Sequence, residues 1–100
     1  MSNRTLLNKT WSVYLLECSD NSLYCGVTNN LEHRLIKHNK GIASKYTRAR
    51  LPVELTAIIN NLTKSEAYKI EYRVKKLPAS KKITALKDGN FSVNTLLNDE

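Results

Sequence analysis

The sequence predicts one small α/β (α+β) domain in which a three-stranded antiparallel sheet is flanked by helices. Two short runs rich in β-branched, aromatic and leucine residues flank the turn sequence Ser-Asp-Asn-Ser at residues 19–22, which predicts a β-hairpin. Two later segments begin with a capping-box pattern and carry apolar residues three or four apart, which predicts two amphipathic helices. A chain of 100 residues has room for roughly one such domain.

The hairpin comes first, with strands predicted over residues 11–18 and 23–28. Because side chains alternate between the two faces of a strand, Tyr14 has a defined face on the first strand. Tyr24 and Gly26 fall together on one face of the second strand. A glycine inside a strand indicates that another group approaches the backbone closely at that point.

The first helix is predicted to begin at Asn29, with Glu32 as the reciprocal partner of a capping box, and to end near Gly41. Its apolar side consists of Leu31, Leu35 and Ile36. At 100° per residue, His38 lies about 20° and Arg34 about 60° from Leu31, so both stand at the margin of the buried stripe. An arginine in that position either extends its charge into solvent or faces a pocket.

Residues 42–50 are polar and basic and predict a loop or an irregular helical turn. After Pro52, residues 53–59 return to a strand-like pattern and form the predicted third strand. A second capping box, made by Thr63 and Glu66, then starts the second long helix.

Glu71 lies on the apolar stripe of this second helix, with Lys75 one turn further on, and Pro78 ends the helix. A carboxylate on the core-facing side of a helix needs a basic side chain, hydrogen-bond donors or a metal as its partner. A third, short helix is predicted over residues 79–87. The chain then divides into a short leader, a folded domain and a tail: residues 1–10, 11–89 and 90–100.

The net charge of +7 is concentrated in two segments. Residues 34–50 hold six Lys and Arg and no acid, whereas residues 69–87 hold seven and the single acid Glu71. Segregated positive charge with tyrosines in or beside it is typical of a surface that binds the phosphates of a nucleic acid. A solvated basic face without a partner is the alternative interpretation.

The cysteines and histidines argue against a structural zinc site. Cys18 and Cys25 are spaced too widely for a zinc knuckle, and we expect both to be buried, free thiols in a reducing compartment. His33 and His38 are five residues apart on one helix, so they cannot bind one ion from one face. No segment has the length and composition of a membrane span or a signal peptide, so the prediction is a soluble, cytoplasmic protein without membrane contact.

The order of these elements and the residues on them resemble the GIY-YIG nuclease superfamily, and within it the small stand-alone, single-domain bacterial proteins. The first motif maps onto Ser-Val-Tyr at residues 12–14, and the second onto Tyr-Cys-Gly at residues 24–26. Ser12 replaces the glycine of the first motif and Cys25 the isoleucine of the second. The resemblance covers residues 11–82. Four more residues fall where the family keeps functional groups: Arg34, His38, Tyr46 and Glu71.

The resemblance implies a GIY-YIG endonuclease-like fold and a metal-dependent nuclease that hydrolyses phosphodiester bonds of DNA, with weak sequence preference and a role in DNA repair or processing. Glu71 would be the one protein ligand of a divalent ion, Mg²⁺ or Mn²⁺, and Arg34 would clamp the scissile phosphate. Tyr24 would take the proton of the attacking water, and Tyr14 would orient that water. His38 would hydrogen-bond a phosphate or relay a proton. The residues expected to bind the substrate are Lys37, Lys45, Tyr46, Arg48, Lys75 and Lys76.

These roles have alternatives. Tyr14 and Tyr24 could be strand aromatics that pack the hairpin, and Arg34 with Glu71 could form an ion pair that joins two helices. The expected partner is a nucleic acid, DNA rather than RNA. The alternative functions are a non-catalytic nucleic-acid-binding module that keeps the nuclease scaffold, and a protein that supplies this domain to a larger repair complex.

Overall fold

A computed structural model describes residues 9–87 of the chain. Within them lie three strands and four helices: β1 (Trp11–Glu17), β2 (Leu23–Thr28), α1 (Leu31–Asn39), α2 (Lys45–Arg48), β3 (Glu54–Leu62), α3 (Lys64–Lys75) and α4 (Ala79–Lys87). The predicted α+β class with a three-stranded antiparallel sheet is confirmed. The predicted tail at residues 90–100, and all but the last two residues of the predicted leader, lie outside the described residues.

The strands lie in the order β2-β1-β3, so the first strand of the hairpin is the centre of the sheet. Strand β1 pairs antiparallel with both neighbours, and Tyr14 stands opposite Gly26 on one side and Ile58 on the other. The five inner residues of β1 are all buried. This register places Tyr14 at the middle of the molecule and leaves β2 at an edge of the sheet.

Each face of the sheet has its own apolar cluster, as the alternation along β1 predicts. On one face the sheet packs against α3 and α4, through residues such as Val13, Leu15 and Ile70. On the other face Tyr14 and Leu16 pack with residues of α1 and of the segment before β3. The sheet is therefore a middle layer, and side chains that meet at the β2 edge can come from both outer layers.

Two details of the predicted elements are wrong. Helix α1 is capped by Asn30, whose side chain accepts a hydrogen bond from the backbone N–H of His33, so Asn29 and Glu32 do not form the expected capping box. The apolar side of α1 is also narrower than predicted, because Ile36 is 49% exposed. In α3, by contrast, the capping box of Thr63 with Glu66 is confirmed.

Strand β3 begins one residue later than predicted and ends three residues later, at Leu62. Asn60 is held in the sheet by a hydrogen bond from the Ser12 hydroxyl to its side-chain oxygen at 2.8 Å. Asn61 takes a positive φ of 65°, which asparagine tolerates better than most residues, and the pairing with β1 shifts there before Leu62 meets Trp11. Two consecutive asparagines read as a turn, but here they form an irregularity within a strand.

Both cysteines are free and buried, which confirms the prediction. Burial, reinforced by the negative charge of Glu71, raises the pKa of the Cys25 thiol to about 12, so this side chain packs as an apolar group. In the part of the chain that the structure describes, no helix has the length and apolar character needed to cross a bilayer.

Candidate active site

Tyr14 enters the site from the centre of β1, and Gly26 on β2 makes room for its ring. A Cβ atom added to Gly26 would lie 2.5 Å from the Tyr14 hydroxyl oxygen and 2.6 Å from Cζ, far inside ordinary contact distance. Tyr14 is 1% exposed. The close approach predicted at Gly26 is therefore that of the Tyr14 phenol, which crosses the backbone of the edge strand.

A buried chain of hydrogen bonds runs from this phenol into the loop after α1. The Tyr14 hydroxyl lies 2.9 Å from Nε2 of His38, and Nδ1 of His38 lies 2.9 Å from the hydroxyl of Thr47. Thr47 is in turn held by Ser44, whose hydroxyl accepts from its backbone N–H at 3.1 Å. Tyr14, His38 and Thr47 are all fully buried, so the chain is isolated from water.

The protonation states of this chain follow from burial. Burial raises the pKa of the Tyr14 phenol far above its ordinary value, and burial followed by the positive charge of Arg34 lowers the pKa of His38. Both groups are therefore neutral near pH 7. The arrangement that satisfies both hydroxyl groups has Tyr14 donating to Nε2, Nδ1–H donating to Thr47, and Thr47 donating to the backbone carbonyl of Ser44. Neither ring nitrogen of His38 is left for a phosphate.

Thr47 and Ser44 are not among the predicted site residues. Ser44 is the N-cap of the short helix α2 and Thr47 is the residue that it caps. A serine three residues before a threonine has N-cap spacing, which was the available signal in a segment predicted as a loop or an irregular turn. No sequence pattern indicates that His38 packs against this turn.

Tyr24 stands at the open side of the same cluster. Its ring centroid lies 5.2 Å from that of His38, 6.4 Å from that of Tyr14 and 6.0 Å from that of Tyr46. Tyr24 is half-buried, and its hydroxyl makes no hydrogen bond within residues 9–87. Tyr14 is thus the inner phenol, already engaged, and Tyr24 the outer phenol, whose hydroxyl is available.

Arg50 closes the aromatic cluster from outside. Its guanidinium carbon lies 3.8 Å from the centroid of the Tyr46 ring, and Nη1 donates to the Tyr46 carbonyl at 3.0 Å. Nε donates to Asp20 at 2.9 Å, in the turn of the hairpin, where Ser22 also donates to Asp20. The hydrogen bonds from Ser22, and then that from Arg50, lower the pKa of Asp20. This link fixes α2 and Tyr46 against the hairpin, a role that the position of Arg50 in a basic segment does not predict.

Glu71 approaches the β2 edge from the opposite layer, on α3. Its carboxylate is 18% exposed and pairs with Lys75 one turn on, with Nζ 3.1 Å from Oε2. Partial burial by itself would lower the pKa of Lys75, but the hydrogen bond and the charge of Glu71 outweigh this effect, so the pKa of Lys75 is raised. The partner of Glu71 is therefore Lys75, and the alternative ion pair between Arg34 and Glu71 is not formed.

The charges of Arg34 and Glu71 both act on the Tyr14 phenol, the first lowering and the second raising its pKa. Direct contacts bring Tyr14, Tyr24, His38 and Tyr46 together, and Arg34 and Glu71 act on this group through their charges. The other predicted residues lie farther out. Lys45 and Arg48 are exposed on α2, and Lys37 is half-exposed on α1. Lys76 lies over the ring of Tyr72, at 4.4 Å, and not beside Glu71.

Comparison with known proteins gives a consistent result. The family model described as the GIY-YIG catalytic domain matches residues 10–84. A UPF0213 protein of Nitratidesulfovibrio vulgaris is 44% identical over 79% of this chain and 72% of its own length. UPF0213 protein OB0043 of Oceanobacillus iheyensis is 52% identical over 71% of this chain and 83% of its own. The solution structure of protein EF2693 from E. faecalis, 38% identical, covers 85% of this chain and 91% of that one with a TM-score of 0.58.

Proposed function

This chain belongs to the GIY-YIG catalytic-domain family, and on that premise we propose that it is a metal-dependent nuclease that hydrolyses phosphodiester bonds of DNA with weak sequence preference. At the level of the family, GIY-YIG nucleases act on nucleic acid and generally use divalent metal ions. The observation that carries the proposal for this chain is a pair of phenols on the hairpin. Tyr14 lies against Gly26 and is bonded to His38. Tyr24 lies beside it with its hydroxyl available. Arg34 and Glu71, whose charges act on the Tyr14 phenol, would supply an anion site and a hard oxygen donor there.

The donor set suits a metal that is bound mainly by water and substrate. Among residues 9–87, no three His, Cys, Asp or Glu side chains form a cluster that would hold an ion by themselves. One carboxylate is enough for Mg²⁺ or Mn²⁺, since Mg²⁺ prefers oxygen and completes its shell with waters and phosphate oxygens. Glu71 would hold the ion, which when bound would neutralise charge that develops on the phosphate and the leaving oxygen. When no divalent ion is bound, Lys75 is the counter-ion of Glu71.

The roles of the remaining residues follow from their protonation and access. Arg34 would bind the scissile phosphate, where a guanidinium can make two parallel hydrogen bonds. Tyr24, with its available hydroxyl on the open side, would first release its own proton to solvent. As a phenolate, its charge offset by Arg34 and the bound ion, it would then accept the proton of the attacking water. Tyr14 keeps its own proton, because burial raises its pKa, and would hold the position of the Tyr24 ring and the water beside it. His38 would be a positioning residue that fixes the Tyr14 hydroxyl.

Substrate outside the reacting phosphate would meet the basic residues around the cleft. Lys45 and Arg48 are exposed on α2 next to Tyr46, and Lys37 lies on α1, so these residues would pair with flanking phosphates. Lys75 would join them once the metal replaces it at Glu71. Both cysteines are free thiols, which supports a cytoplasmic location. The role proposed for the nuclease there is DNA repair or processing.

The test is a cleavage assay with labelled single-stranded, duplex and branched DNA in Mg²⁺, Mn²⁺ or EDTA. We expect metal-dependent cleavage that Glu71→Ala abolishes and that Arg34→Ala lowers by roughly a hundredfold or more, the usual effect of removing one transition-state donor. Exposed residues provide matched controls, Glu54→Ala for the carboxylate and Lys9→Ala, outside both basic segments, for the cation. Cleavage that persists undiminished in both active-site variants would refute the mechanism.

One observation favours the second candidate, a nucleic-acid-binding module without turnover. Lys75 already neutralises Glu71, so the carboxylate has a structural explanation that needs no metal. That function predicts DNA affinity that falls steeply between about 50 and 200 mM salt, with no product formed in any metal. A stable protein partner recovered with the chain, without cleavage or DNA affinity, would instead support a role as one component of a repair complex.

A further inference from the structure

The outer face of α3 carries aromatic and basic side chains that the proposed reaction leaves almost unused. We call this surface the α3 strip, and its members are Trp11, Lys64, Tyr68, Lys69, Tyr72 and Lys76. Side chains four residues apart share one face of a helix, which aligns Lys64, Tyr68, Tyr72 and Lys76 in a row. The row runs beside, and not through, the stripe of α3 that packs on the sheet.

Two rings of the strip, Tyr68 and Tyr72, are exposed, and Trp11 and Tyr72 each have a lysine over the ring. Tyr68 is 47% and Tyr72 57% exposed, although tyrosine is a large and largely apolar side chain. The Tyr68 ring lies 5.9 Å from Trp11, and Nζ of Lys64 lies 5.6 Å from the centre of the Trp11 ring. Nζ of Lys76 lies 4.4 Å from the centre of the Tyr72 ring. Aromatic faces and ammonium groups thus alternate along the helix.

An open depression of about 480 Å³ lies on this surface. It is lined by Ser65, Tyr68, Lys69, Tyr72 and Arg73, so two tyrosine rings and two cationic side chains border a space that a planar group can enter. Within residues 9–87, no carboxylate lines it. A surface of this composition suits a ligand whose flat, uncharged rings are joined by negatively charged groups.

We propose that the α3 strip binds single-stranded DNA, with unpaired bases stacked on Tyr68 and Tyr72 and backbone phosphates paired with Lys64, Lys69 and Lys76. Proteins that hold single strands combine a positively charged track with aromatic side chains on which successive bases stack. A duplex keeps its bases stacked on each other, so protruding rings on a convex helix have no base face to meet. Charge complementarity selects a polyanion over a neutral or basic partner.

The position of the strip relative to Glu71 gives it a place in catalysis, and in this respect the inference rests on the proposed function. Tyr68 lies three residues before Glu71 and Tyr72 directly after it, so the strip begins about 60° to 100° around the helix from the carboxylate. The distance from Lys64 to Lys76 along the axis is about 18 Å, or roughly five phosphate spacings of a helical strand. The bound strand would therefore be the single-stranded flank of a substrate that is cut beside Glu71.

Binding is measured by fluorescence anisotropy with a labelled oligothymidine, in a Glu71→Gln background that removes the metal ligand. We expect Tyr68→Ala and Tyr72→Ala each to weaken binding by about 5- to 150-fold, the range for losing one stacked base. The phenylalanine variants of both positions keep the ring and should bind as the parent does. Leu55→Ala, an exposed apolar residue on β3, is the matched control and should have no effect.

The salt dependence gives a second, independent readout. Each of Lys64→Gln, Lys69→Gln and Lys76→Gln should reduce the slope of log affinity against log salt by about 0.7, the value for one phosphate contact on a single strand. Lys81→Gln, an exposed lysine on α4, should leave the slope unchanged. Thermal unfolding of every variant shows whether a loss of affinity reflects a loss of fold.

The outcomes separate this inference from the proposed nuclease activity. Tyrosine-dependent binding of single strands with no cleavage by the wild-type protein would uphold the strip and count against the nuclease. Cleavage with equal single-strand affinity in the parent and both alanine variants would overturn the strip and leave the nuclease standing. Equal losses of affinity for blunt duplex, or tighter binding of an acidic peptide than of the oligonucleotide, would also overturn it.

Discussion

Replacing Gly26 with alanine tests whether this position exists to admit the Tyr14 ring. The added Cβ would lie 2.5 Å from the hydroxyl oxygen, 2.6 Å from Cζ and 3.1 Å from Cε1 of Tyr14. Ordinary contacts between such atoms are about 3.5 to 4.0 Å, so the ring or the strand must move by about 1 Å. The ring is 1% exposed and bonded to His38, so it has no free space in which to move.

The expected cost has two parts. Forcing an extra carbon into a packed interior typically costs about 1 to 3 kcal/mol. If the ring shifts, the hydrogen bond to His38 breaks and leaves a buried nitrogen without a partner, at about 1 to 3 kcal/mol more. Gly26→Ala should therefore lower the free energy of unfolding by about 2 to 6 kcal/mol, a large share of the 5 to 15 kcal/mol that is usual for a domain.

A double-mutant cycle measured by urea denaturation isolates the cause. Tyr14→Leu removes all three close atoms and the hydrogen bond to His38, so Gly26→Ala should cost about 2 to 6 kcal/mol less in that background than in the wild type. Gly41→Ala is the matched control, since its penalty of about 1 to 2 kcal/mol comes from a φ of +80° and not from a clash. That penalty should be the same in both backgrounds.

Two results would refute the reasoning. A cost of Gly26→Ala below about 0.5 kcal/mol would mean that the strand yields without strain. If Gly26→Ala lowered the free energy of unfolding equally with and without the Tyr14 ring, the glycine would be required by the backbone conformation of β2 and not by the phenol. In either case the close approach of the Tyr14 ring to Gly26 would need another explanation.

Three further predictions concern groups around the site. Burial, and then the charge of Arg34, lowers the pKa of His38. The free energy of unfolding should therefore keep its full value above about pH 6.5 and fall below that pH by at most about 1.4 kcal/mol per pH unit. Urea titrations should show a weaker fall in His38→Gln. Cys18 and Cys25 should not react with a thiol reagent at pH 8 until denaturant is added, because both are buried; rapid labelling of the native protein would contradict this. Arg50→Lys should lower stability by about 1 kcal/mol through loss of the stacked guanidinium and its bond to Asp20, and Asp20→Asn should add little to that loss in a double variant.

The periodic parts of the fold were predictable because each element has a local cause. Alternation predicted a face for Tyr14 on β1 and a face for Tyr24 on β2, and the strand register shows that the two faces are the same. The capping box of Thr63 located the start of α3. The errors arose where two local causes compete. Asn29 and Asn30 can both cap a helix, and the structure uses the second; Asn61 can end a strand, but pairing with β1 continues past it.

The contacts of the candidate site were less accessible to sequence reasoning. The bond between His38 and Thr47 joins positions nine apart across a loop, and that between Asp20 and Arg50 joins positions thirty apart. Both depend on the path of residues 40–53, which no periodicity specifies. Sequence patterns indicated that Glu71 needs a partner, but only the side-chain geometry identified Lys75 as that partner.

Helix α3 leaves few of its twelve positions uncommitted. Ala67, Ile70 and Val74 are buried, Glu66 completes the cap, Glu71 and Lys75 pair at the β2 edge, and the α3 strip takes much of the rest. In a scan of all single substitutions, α3 should therefore tolerate fewer changes than α4, even at its exposed positions. Exposed positions elsewhere usually tolerate substitution, whereas the exposed positions of α3 would not.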